Sequence, residues 1–108
     1  MASPTTVDQA VTLLTAVVLE GETAGEIDSK VAQDIEREVD GALGELEKGE
    51  PDKALEKLDK AQERVEEALE KGEITSPERA EAIDSAIDGL AELIAAAGSG
   101  DDEGDGDD

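Results

Sequence analysis

Carboxylates are the reactive side chains this chain carries in quantity. Glu81, Asp84, Asp88 and Glu92 follow one another at steps of three and four, which places them on one side of a helix. Glu63, Glu66, Glu67 and Glu70 crowd two helical turns further up the chain. Oxygen-only clusters of this kind are what calcium and magnesium take as ligands. In a chain this acidic the same spacing also describes the solvated face of a helical bundle, and the solvated face is the expectation. No metal-binding residue is assigned.

The closing "DDEGDGDD" sets Asp101, Glu103 and Asp105 at alternate positions ahead of Gly106. A calcium loop of that type is closed by a glutamate about six residues beyond the glycine. None is present here, so diffuse condensation of cations on a polyanion is expected instead of a site. Nucleophilic catalysis has little to draw on: there is no Cys, no His and no Tyr. Ser29 and Ser76 stand at helix entries, where a hydroxyl caps backbone N–H groups and does not attack a substrate. The chain is expected not to be an enzyme, with no catalytic or cofactor-binding residue and no cofactor.

One short phrase occurs nearly twice, "GEIDS" at Gly25 to Ser29 and "GEITS" at Gly72 to Ser76. Aligning the two helices that these phrases open pairs Asp28 with Ser76, Ile35 with Ile83, Val39 with Ile87, Asp40 with Asp88 and Gly41 with Gly89. Asp28 and Ser76 then fall together as N-caps, with Pro77 at the first helical position. Ile27 and Ile74 are expected to dip into the core, and the repeated acids to stay outside. The echo reads as one helix-entry device used twice.

The elements that position these groups are set by apolar spacing, which has the helical period throughout. A first helix runs from about Thr6 to Leu19, with Thr6 and Gln9 at capping-box spacing and Val7, Val11, Leu14 and Val18 on one stripe. Leu13, Val17 and Leu19 widen that stripe until little of the helix is polar. The second runs from about Asp28 to Lys48 on Val31, Ile35, Val39, Ala42 and Leu46. The third, about Pro51 to Lys71, carries Leu55, Leu58, Gln62, Val65 and Leu69, with Ala54, Ala61 and Ala68 beside them. The fourth, about Pro77 to Ala97, has Ala80, Ile83, Ile87, Leu90 and Ile94. Gly21 or Gly25, Gly49 and Gly72 come just after helix ends, where a left-handed residue is wanted.

Connections this short force antiparallel neighbours. The fold class is all-α, an up-down antiparallel bundle of three core helices plus an N-terminal fourth. Residues 1–5 are expected to be a disordered N-terminus, 6–97 the bundle domain and 98–108 a disordered acidic tail.

Composition narrows the partners. The 108 residues carry 31 acids against 9 bases, a formal charge of -22, so phosphate polymers are repelled and nucleic acid is excluded as a partner. No aromatic residue is present, which removes the stacking platforms of sugar and single-strand sites. The most apolar run, "AVTLLTAVVL" at Ala10 to Leu19, is too short to span a bilayer, and no membrane insertion of this segment is expected. The over-apolar first helix leaves room for a protein partner, either basic or presenting an apolar-faced helix, and the chain is expected to be a monomer or weak homodimer.

From about Val18 to Ile94 the string "GEIDSKVAQDIEREVDGALGELEKGEPDKALEKLDKAQERVEEALEKGEIT", then "AIDSAIDGLAELI", resembles a short helical domain near the C-terminus of some actinobacterial serine/threonine protein kinases. It is also similar to the FIMAH-type helical domain appended to secreted bacterial enzymes. The shared features are the Gly-Glu-Ile entry at Gly25 to Ile27, the turn "KGEPDKA" at Lys48 to Ala54, and the second entry at Gly72. The Phe-Ile-Asn run of the FIMAH pattern is replaced here by "LDKAQERVEEAL", which favours the kinase-type relative. No kinase catalytic motif is present. The resemblance implies a non-catalytic interaction, sensor or spacer module, extracytoplasmic or secreted, on a larger bacterial protein such as a receptor-type serine/threonine kinase. The alternative is a free-standing acidic helical protein that binds a basic partner or, weakly, divalent cations.

Overall fold

Among the described residues four helices form on the four apolar stripes: α1 (Val7–Thr23), α2 (Ser29–Glu47), α3 (Pro51–Lys71) and α4 (Pro77–Asp105). The computed structural model describes the backbone of residues 6–105 and the side chains of residues 6–96. The terminal segments expected to be disordered lie outside these residues, except that the backbone of α4 continues past Ala97 to Asp105, beyond the end of its apolar stripe.

Each helix begins as its local chemistry dictates. The Thr6 hydroxyl accepts from the Gln9 N–H at 3.2 Å, the Asp28 carboxylate from the Lys30 N–H at 2.9 Å, and the Ser76 hydroxyl from the Arg79 N–H at 3.1 Å. Pro51 and Pro77 open α3 and α4, where a missing N–H has no intrahelical partner to lose. The ends are equally regular. Gly25, Gly49 and Gly72 have φ near +80°. After each, the glutamate N–H bonds back to a carbonyl of the last turn: Glu26 to Gly21 at 2.8 Å, Glu50 to Glu45 at 2.9 Å and Glu73 to Ala68 at 2.8 Å. This is the Schellman closure. The choice at the first turn falls on Gly25, so α1 extends beyond Leu19 and takes Gly21 into its last turns.

The helices run alternately up and down, with α2 packed on α3, α3 on α4, and α1 mainly on α4 and more lightly on α2. Leu14 and Val18 from α1, Ile35 from α2, Leu58 and Val65 from α3, and Ile83, Ile87 and Leu90 from α4 are almost wholly buried. One detail departs from the expected stripes. On α3 the alanines Ala54, Ala61 and Ala68 are fully buried, while Leu55 and Leu69 are only partly covered at the flanks. Small residues at the centre of a contact let helix backbones approach closely, and α2 and α3 make the most extensive contact in the bundle.

Candidate functional site

The two Gly-Glu-Ile turns, far apart in sequence, lie side by side. Ile27 and Ile74 form an isolated antiparallel bridge, closed by Asp28 N–H to Glu73 O and Thr75 N–H to Glu26 O, both at 2.9 Å. Both isoleucines are buried beneath it. Glu26 and Glu73 are not left outside with the other acids. Glu26 accepts from Arg79 Nε at 2.8 Å, and Arg79 Nη1 reaches the Val17 carbonyl at 3.3 Å. Glu73 accepts from Arg64 Nη1 at 3.0 Å, while Arg64 Nε binds Asp34 at 2.9 Å. Each turn thus holds one arginine through its glutamate, and the two guanidinium groups tie α1 to α4 and α2 to α3. Sequence reasoning missed the clamps that Arg64 makes with Asp34 and Glu73 and that Arg79 makes with Glu26. The available signal was that only three of nine bases are arginine, the side chain suited to forked carboxylate contacts. Their role is to hold the fold.

The acidic stripes do not converge. Glu81, Asp88 and Glu92 are exposed, as are Glu63, Glu66, Glu67 and Glu70. Asp88 accepts from Gln62 Nε2 at 2.7 Å, the same amide lying 3.3 Å from the Asp84 carbonyl. Asp84 is half-buried, and its Oδ1 has no hydrogen-bond partner. Burial, then the nearby charges of Glu66 and Asp88, push its carboxyl up to about 6. Among the described residues no three acids come together as a metal would need. The side chains of Asp101, Glu103, Asp105 and Gly106 lie outside the described residues. Ser29 is exposed at the α2 entry, and Ser76 is occupied as a cap.

The best candidate for a site is the apolar surface of α1. Ala10, Leu14 and Val18 close the bundle, while Leu13 stays 42% exposed and Leu19 55% exposed. Leu13 and Val17 form one wall of an open groove of about 680 Å3. Its other wall is α4, with Ala82, Ala86, Gly89 and Leu93 along it and Glu92 at the edge. A Cβ added at Gly89 would meet nothing within 4 Å, so space stands open above the α4 backbone. On the other side of α1 a narrower cleft of about 200 Å3 separates it from Ile35 and Val39 of α2. The groove is mostly apolar, with Ser85 and Glu92 as its polar side chains.

Among protein families, the model described as the FIMAH domain matches residues 11–92. Compared with curated proteins and with solved structures, the chain matches none.

Proposed function

From the premise that this chain belongs to the FIMAH domain family, we propose that it is a non-catalytic partner-binding module on the extracytoplasmic part of a larger bacterial protein, such as a receptor-type serine/threonine kinase. The observation that carries the binding role is the open α1/α4 groove. Leu13 is exposed and Val17 half-buried beside a partly covered apolar wall, and a concave, mostly apolar groove is where a partner or ligand is accommodated. The extracytoplasmic setting rests on the likeness of the "GEI" and "KGEPDKA" turns to kinase-borne and secreted relatives. Cation buffering, the other reading of so acidic a chain, has no comparable geometry among the described residues.

The absence of cysteine makes one experiment decisive for both parts. Single variants Leu13→Cys and Ser29→Cys, both at exposed positions, are treated with a membrane-impermeant maleimide in intact host cells and as purified protein. Both should react when purified. In cells, Ser29→Cys should react and Leu13→Cys should be protected. Protection of both overturns the extracytoplasmic setting, and equal reaction of both overturns the partner-binding role.

A further inference from the structure

We propose that the α1/α4 groove receives an amphipathic helix whose apolar stripe is flanked by lysine or arginine. This deepens the partner-binding reading and rests on it. The shape argues for a helix. The α4 wall from Ala82 to Ala96 is a run of small residues broken by Glu92 and Leu93, about 21 Å long at the helical rise. Over Ala82, Ala86 and Gly89 an incoming helix can lie at close-packed distance, with its side chains between Leu13 and Leu93.

The charges argue for a basic one. Neither helix that forms the groove carries a lysine, and their one basic residue, Arg79, is turned inward onto Glu26 and the Val17 carbonyl. Lys30, Lys48, Lys53, Lys57, Lys60 and Lys71 all belong to α2, α3 and their ends, away from the groove. Glu92 lines the groove, and Asp8 shares with Leu13 a second, shallower depression on the outer face of α1. The groove is therefore edged by an acid and by no lysine, on a chain whose net charge is strongly negative. A second copy of this chain would bring an identical acidic rim against it, with a formal charge of -22 on each molecule. A helix with basic flanks meets the rim with opposite charge and is steered toward it.

The test is a titration of the isotope-labelled full chain, monitored by NMR, with three synthetic peptides of about 18 residues, long enough to span the groove as a helix. One has leucines at helical spacing flanked by lysines. The second has the same leucines with glutamate for lysine. The third is the first peptide shuffled so that the stripe is broken. The first should bind, with shifts concentrated at Leu13, Val17, Ala86, Gly89 and Leu93. Gly89→Leu, which fills the open space above α4, and Leu13→Asp, at an exposed position, should each weaken it by about tenfold or more. Equal binding of the shuffled peptide would reduce the effect to charge and overturn the inference. Equal binding of the glutamate peptide would overturn the basic flank while leaving a helix-binding groove. No binding by any peptide would overturn the inference, and the labelling of Leu13→Cys in cells then judges the partner-binding role independently. A homodimer in sedimentation that Gly89→Leu abolishes would make a second copy the occupant and overturn it as well.

Discussion

A methyl group added at Gly21 would lie 2.5 Å from Cδ1 of Ile27 and 3.0 Å from Cδ of Arg79. Gly21 is buried within α1, and Ile27 folds back over it where the chain enters α2. Gly21→Ala raises helix propensity but forces that isoleucine out of its place, and in a packed site the second effect is larger. The expected cost is about 1–3 kcal/mol in urea unfolding. Asp84 carries the opposite kind of strain. Its carboxyl is pushed up to about 6 from an ordinary value of 3.8, so the fold favours the protonated form. That contribution is fully present below pH 3.8 and is lost as pH rises through about 6. Asp84→Asn should therefore raise the melting temperature at pH 7, with the gain shrinking as the pH falls toward 4. A gain that did not change with pH would contradict the assigned cause. None of this was legible from residue type, because Asp84 differs from Asp88 only in the neighbours that the bundle places around it.

At the scale of the helices, caps and stripes were legible almost residue for residue. Asp28 and Ser76 cap where the echo places them, and Ile27 and Ile74 are buried. Each cap is a bond within a few residues, so local sequence suffices to specify it. Glycine shows how the same residue type divides by position. Gly72 has φ +80° and closes α3, whereas Gly89 sits inside α4 with open space above it. Gly72→Ala should cost about 1 kcal/mol, since a Cβ is disfavoured in the left-handed region. Gly89→Ala should gain about 1 kcal/mol from helix propensity, because nothing resists the new methyl. Chemical denaturation of both variants checks the opposed signs. The end of α1 was less legible, because Gly21 and Gly25 are equally permissive until Ile27 and the Glu26 N–H select between them. The missing Phe-Ile-Asn run proved a poor guide to family: the chain belongs to the FIMAH family without it.

For the whole molecule, charge and packing set the behaviour together. With 31 acids against 9 bases, self-repulsion opposes the compact state, and the two arginine clamps relieve it locally. Salt should accordingly raise the melting temperature between low and physiological ionic strength, as the Debye length shortens to about 8 Å. A flat or falling melting temperature would mean that the clamps and exposed pairs such as Lys71–Glu67 outweigh the repulsion. Helix number and helix entry were decided by short-range chemistry, since capping bonds and apolar period act over one or two turns, whereas the centring of α3 on its alanines and not on Leu55 and Leu69 was decided by packing against α2. The docking of the two Gly-Glu-Ile turns, the arginine that each grips, the burial of Asp84 and the groove beside Leu13 were decided only by the tertiary structure. Each depends on which helix faces which, and at what distance, and that is the outcome of packing all the side chains at once.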